Sequence, residues 1–174
     1  GGWDDYPPQV YVHQQGLESR VSPVVTTAHA IRSARILQMA AQALGIADDN
    51  ALYEEDIAAF GEALQRHAWD EQAGYFSYVV HDEAGRPQEI LRHESGANFD
   101  MGMDGASPLY AGICSAGQET ALIERLFSPE RMWTRIGLST VDQSAPYYRK
   151  DGYWNGAVWM PHQWFFWKAL LDLG

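Results

Sequence analysis

Apolar residues recur at helical spacing through most of this chain. Between Ser22-Pro23 and Gly45, Ala30, Ala34, Leu37, Ala41 and Leu44 follow at steps of 4, 3, 4 and 3, the period that aligns side chains on one helical face. Ile31, Ile36, Met39, Ala40 and Ala43 widen that face, leaving Arg32, Arg35, Gln38 and Gln42 as a narrow polar stripe. The pattern predicts a mostly buried inner helix with Ala34 and Leu37 in the core. Ser22 reads as its N-cap, Pro23 as its first residue and Gly45 as its stop. The next segment, residues 50–67, carries one stripe, Tyr53, Ile57, Phe60 and Leu64, amid charged and polar residues. It predicts an outer helix with Glu55, Glu62 and Gln65 in water, its early acids suiting the N-terminal dipole.

Further on, the period changes. Residues 74–80 are aromatic and β-branched, Asp82-Glu83-Ala84-Gly85 supplies a turn, and a return through residues 86–91 predicts a small β-hairpin. Residues 92–116 are rich in Gly, Ser and Asn and read mainly as loop. A shorter helix follows, with Leu122, Ile123, Leu126 and Phe127 on one face, and then a turn from Ser128-Pro129-Glu130. Residues 134–157 form a second long loop, and loops of that length in a compact domain tend to carry function. The last helix, residues 161–173, is apolar nearly all round, with Met160, Trp164, Trp167 and Leu171 at steps of 4, 3 and 4. Alternating buried and amphipathic helices predict an all-α double layer of helical hairpins with one small β-hairpin.

Composition narrows the partners. The 174 residues carry 23 acidic against 12 basic side chains, a net charge of −11, and the sequence contains no basic cluster. That balance argues against nucleic acid, whose binding rests on neutralised phosphates. No run approaches the about 18 apolar residues of a membrane helix. The single cysteine, Cys114, forbids an intrachain disulfide and points to a cytoplasmic setting. A glycine at the start, and a helical pattern running straight into Gly174, lead us to expect a piece of a longer protein.

Two segments carry the candidate chemistry. Gly1-Gly2-Trp3-Asp4-Asp5-Tyr6-Pro7 opens the chain, and Gly152-Tyr153-Trp154-Asn155-Gly156-Ala157-Val158-Trp159 lies near its end. Each sets aromatic rings beside carboxylate or amide groups, the mixture a sugar needs for its C–H faces and its hydroxyls. A carboxylate desolvated against an indole favours its protonated form. Other chemistries lack their residues. There is no phosphate loop and no dinucleotide fingerprint, the six histidines show no metal-ligand spacing, and Cys114 reads as a small buried thiol. No metal and no cofactor are expected. Asp100 and Asp104, in a Met- and Gly-rich loop, read first as turn-stabilising residues. Carboxylate chemistry on a sugar remains.

The opening segment resembles the S-G-(L/M/W)-D-(D/N)-(Y/S)-P signature of glycoside hydrolase family 63. Residues 152–159 are similar to that family's G-Y-W-R-G-P-V-W segment, and Ser107-Pro108-Leu109-Tyr110-Ala111-Gly112 to its P-L-(Y/W)-A-G stretch. Order and separation agree, so the resemblance covers almost the whole chain. It implies an (α/α)6 toroid, of which this chain is an incomplete barrel within one catalytic domain, residues 1–174. It also implies an inverting glycosidase acting on α-linked glucosides or related glycosides, with Asp4 as general acid. Trp3, Asp5, Tyr6, Gln9, Tyr153, Trp154, Asn155 and Trp159 would then meet the oligosaccharide or small glycoside. Asn155 and Ala157 depart from the family's arginine and proline. Its general base is a glutamate downstream of the Y-W segment, and after Trp159 this chain offers only Asp172. The base and the remaining helices are therefore expected in the parent chain. The competing expectation is a non-catalytic carbohydrate-binding protein on the same scaffold.

Overall fold

A computed structural model describes residues 3–46 and 48–174; Gly1 and Gly2 of the opening segment lie outside it. The helices are α1 (Pro7–Gln14), α2 (Val24–Leu44), α3 (Asn50–His67), α4 (Pro108–Ala111), α5 (Ala116–Phe127) and α6 (Met160–Leu173). The strands are β1 (Val21–Ser22), β2 (Trp69–Asp70), β3 (Tyr75–Phe76), β4 (Val79–His81), β5 (Pro87–Ile90), β6 (Trp133–Thr134) and β7 (Gly137–Leu138). The fold is mainly helical. Helices α3, α2, α4 and α6 follow one another as packed neighbours, and α5 rests on β3 and β6.

α2 forms as the periodicity predicts, but its burial stops halfway. Val24, Val25, Ala28, Ile31 and Ala34 are buried, whereas Leu37 is 48% and Leu44 72% exposed. Leu37 thus corrects the expectation of a helix buried along its length. Periodicity reports which face is apolar, while burial needs a partner, and no described element covers that face beyond Ala34. The start also shifts. Ser22 pairs with Val79 in a small sheet, so Pro23 becomes the N-cap and the helix begins at Val24. Gly45 ends it in the left-handed conformation, φ 68°, which glycine adopts without steric cost. On α3, Glu55, Glu62 and Gln65 are exposed, as an outer helix requires.

The predicted strand over residues 74–80 is broken in two. Tyr75 and Phe76 pair back onto β2, while β4 sits between β1 and β5 in an antiparallel sheet. Ser77, at the break, is fully buried and donates its hydroxyl to Leu91 O. A third pair, β6–β7, was not signalled by the sequence pattern, so the described residues hold three small sheets rather than one hairpin.

The core gathers Ile31, Tyr75, Phe76, Tyr78, Leu122, Leu126, Met132 and Phe166. α6 contributes one face, His162, Phe166 and Ala169, to the interior and leaves Trp164 and Trp167 more than half exposed. α1 is an element that the sequence pattern does not predict. Pro7 and Pro8 occupy its first turn, where fixed φ helps and a missing N–H costs nothing. No described helix is long and apolar enough to cross a membrane.

Candidate active site

The opening turn and the late aromatic loop meet. Tyr6 N–H closes a turn onto Trp3 O at 3.0 Å, which presents the Trp3 ring toward residues about 150 positions later in sequence. Its centroid lies 4.9 Å from Trp154 and 4.6 Å from His162. Trp154 in turn stacks on Trp159 at 4.2 Å and 15°. The Asp5 carboxylate accepts the backbone N–H of Trp154, tying the two segments directly. Gly156 is required here. Its φ is 141°, and a Cβ would stand 2.2 Å from the Arg149 carbonyl oxygen.

Beneath this cluster lie two buried carboxylates. Trp3 Nε1 donates to Asp104 Oδ1 at 2.9 Å, and Tyr78 donates its hydroxyl to Asp104 Oδ2 at 2.7 Å. Tyr6 donates its hydroxyl to Asp100 Oδ1 at 2.7 Å. Asp100 and Asp104 are 0% and 1% exposed. Desolvation pushes the Asp104 carboxyl up to about 6, partly offset by the Tyr78 and Trp3 hydrogen bonds. Burial, reinforced by the Asp104 charge, raises Asp100 well above the usual carboxylate range. His162 moves the other way, down to about 4 through burial, so it packs against Trp3 as a neutral ring. Asp100 and Asp104 thus do more than stabilise a local turn. They anchor Trp3 and Tyr6 from the far side of the sequence.

This burial has a pH consequence. A carboxyl whose pKa is higher in the folded than in the unfolded chain favours folding most at low pH. That contribution is lost as pH rises through the folded value. His162 opposes it over part of the same window, losing stability as pH falls toward 4. The two separate in a difference measurement. Relative to wild type, Asp104→Asn should gain unfolding free energy as pH is raised from about 4 to about 7. Urea titrations across that range check it, and a constant difference would show that folding does not raise the Asp104 carboxyl above its unfolded value.

Trp3, Asp4, Gln9, Glu18 and Tyr78 line a cleft of about 670 Å³ between the opening turn, α1 and the start of α2. Asp4 is exposed at this cleft, so the described residues do not supply the desolvation expected for it. Gln9 donates to the Tyr78 hydroxyl at 3.3 Å. Tyr6 is a correction. At 2% exposure, with its hydroxyl given to Asp100, it is a post under the turn rather than a surface for sugar. Trp154 is likewise buried, at 7%, and supports the site from behind. Asp5 is committed to Trp154. Tyr153 is exposed but outside the cleft wall, edge-on to Trp159 at 4.8 Å. Trp159 donates its Nε1 to Tyr153 O at 3.0 Å, and Asn155 is half-buried with Oδ1 unpartnered among the described residues. Glu18 belongs to no motif, so no sequence signal marks it. It pairs with His13 at 2.8 Å, and hydrogen bonds to backbone and to His13 hold it below the usual carboxylate range. Among the described residues no cluster of His, Cys, Asp and Glu could hold a metal ion.

Comparison with known proteins gives the family. The family model of the mannosylglycerate hydrolase MGH1-like glycoside hydrolase domain matches residues 4–174. The chain belongs to this glycoside hydrolase family. A mannosylglycerate hydrolase from Thermus thermophilus is 31% identical over 124 residues, covering 69% of this chain and 26% of that enzyme. A family 63 mannosylglycerate hydrolase from the same species, solved with Tris and D-glycerate, aligns with 88% of this chain and 34% of its own at 25% identity and a TM-score of 0.67. Its glucose complex aligns with 97% of this chain and 38% of its own, at 24% identity and a TM-score of 0.69, a likeness of fold. The chain therefore spans about a quarter to two-fifths of the length of these relatives.

Proposed function

We propose that this chain carries the acid side of an inverting glycoside hydrolase site, within an (α/α)6 toroid completed by the remainder of the parent chain. The observation that supports this most is Asp4, a carboxylate exposed in a cleft beside the Trp3 indole, on a turn clamped by Asp5, Asp100 and Asp104. Asp4 protonates the glycosidic oxygen as the bond breaks. A glutamate outside the 174 residues removes a proton from water on the opposite face of the sugar. Inverting geometry separates the two carboxyl groups by about 6.5–9.5 Å, room for that water. Trp3 offers a ring face at the cleft, and Gln9 a polar group for a hydroxyl. The substrate class is an α-linked glucoside or a related glycoside, and the relatives' names favour mannosylglycerate within it. The single, half-buried cysteine fits a cytoplasmic setting.

Product stereochemistry tests the reading. With the full-length enzyme and an α-glycoside, proton NMR of the first turnovers should show the β-anomer before mutarotation. An α-anomer at that stage would replace inversion with retention. The non-catalytic reading draws on Glu18, the cleft's second carboxylate, being tied to His13. A parent chain that binds the glycoside without releasing any sugar would favour it.

A further inference from the structure

Three arginines scattered through the sequence come together in one cleft. Arg92 follows β5, Arg125 belongs to α5, and Arg131 lies in the turn before β6, yet all three line a cavity of about 480 Å³. The chain has only 12 basic residues against 23 acidic ones. Gathering three of them is therefore a product of the fold, invisible along the sequence.

Each guanidinium is held by part of its hydrogen-bonding edge. Arg92 uses Nη1 on Asp70 Oδ2 and Gly96 O, both at 3.2 Å. Arg125 donates Nε to Ala73 O and Nη1 to Ala121 O, both at 2.8 Å, and lies 5.7 Å from the Tyr75 ring centroid. Arg131 donates Nε to Asp142 Oδ2 at 2.6 Å. The Nη2 groups of Arg92 and Arg125 and both Nη groups of Arg131 have no partner among the described residues. The counter-charges are already occupied. Asp142 is fully buried and also accepts from Tyr75 and Ser144, while Asp70 also accepts the N–H groups of Gln72 and Ala73. Among the described residues Asp70 is the one carboxylate of the wall and pairs with Arg92, Asp142 behind it pairs with Arg131, and Arg125 has no carboxylate partner. Asn98, 2% exposed, also lies in the wall, and its amide nitrogen is unpartnered. Fixed guanidiniums with spare donors are suited to a planar carboxylate or a phosphate.

We propose that this cleft is a binding site for a small oxyanion, a carboxylate or phosphate group, held by Arg92, Arg125 and Arg131. It shares no wall residue with the Asp4 cleft, and it goes beyond the glycosidase reading without depending on it. The ligand is small, because the cavity is no larger than a typical small-molecule pocket.

Titration of the full-length protein with inorganic phosphate and, separately, with lactate, followed by amide NMR at low salt, tests the site. Saturable shifts confined to residues 92–98, 125, 131 and 144 are expected with one or both anions. Response to phosphate alone assigns the site to phosphate groups, and response to lactate alone to carboxylates. Arg92→Gln should weaken binding at least about tenfold, the loss of one charge-assisted contact, whereas Lys150→Gln, outside the cleft, should leave it unchanged. Absence of saturable shifts with both anions overturns the proposal, as do shifts centred elsewhere or equal affinity in Arg92→Gln. Should Arg92→Gln fail to fold, the position of the wild-type shifts still decides.

Discussion

Asp4→Asn in the full-length enzyme is expected to lower kcat on natural glycosides by about 10²–10⁴-fold, the usual contribution of a positioned general acid. Asparagine keeps the size and the hydrogen-bonding shape of the side chain but has no proton to give. The turn itself should survive, because among the described residues Asp4 makes no hydrogen bond that anchors it. That work falls to Asp5 on Trp154 N–H, Asp104 on the Trp3 indole and Asp100 on the Tyr6 hydroxyl. KM should therefore change far less than kcat. Asp5→Ala offers the contrast. It removes a clamp rather than a proton, so it should loosen the turn and lower stability together with activity, and steady-state kinetics beside urea unfolding of both variants separates the two roles.

The second large effect is on stability. Trp154→Ala should cost about 3–5 kcal/mol, the range for truncating a large buried aromatic. Trp154 is 7% exposed and stands between Trp3 and Trp159, so its removal opens a void that two rings and His162 border. Tyr153→Ala, one residue earlier but 52% exposed, should cost under about 1 kcal/mol. Urea unfolding of the chain measures both. Equal costs at 153 and 154 would mean that the aromatic cluster does not hold the two segments together. A double-mutant cycle of Trp3 and Trp154 should return a coupling of about 0.5–1.5 kcal/mol from the ring pair itself.

Much of this architecture is legible in the order of the residues. The periodicities of α2, α3, α5 and α6 are visible because each helix sorts apolar from polar residues, and Gly45 marks a stop that only a residue tolerant of positive φ fills well. What escapes is context. Leu37 lies on the right face of a real helix, yet no described element covers it. Residues 74–80 read as one strand because aromatic and β-branched residues favour any pleat, but two different partners claim its halves. The candidate site divides in the same way. Trp3, Asp4, Trp154 and Trp159 stand out through composition and through their resemblance to family motifs. Asp104, Asp100 and Glu18 do not, because their roles come from contacts made across 101, 94 and 5 positions. Tyr6 and Trp154 show the opposite limit, since an aromatic in a polar motif looks the same in sequence whether it meets a sugar, a buried acid as Tyr6 does, or other rings as Trp154 does.

Proton donation by Asp4 makes the rate depend on the leaving group. Fluoride needs little protonation to depart, whereas a sugar or hydroxy-acid oxygen needs it strongly. With Asp4 as the acid, Asp4→Asn in the full-length enzyme loses about 10²–10⁴-fold in kcat/KM on the natural glycoside and much less on the matching glycosyl fluoride. Equal losses on the two substrates would contradict it and take Asp4 out of the acid role.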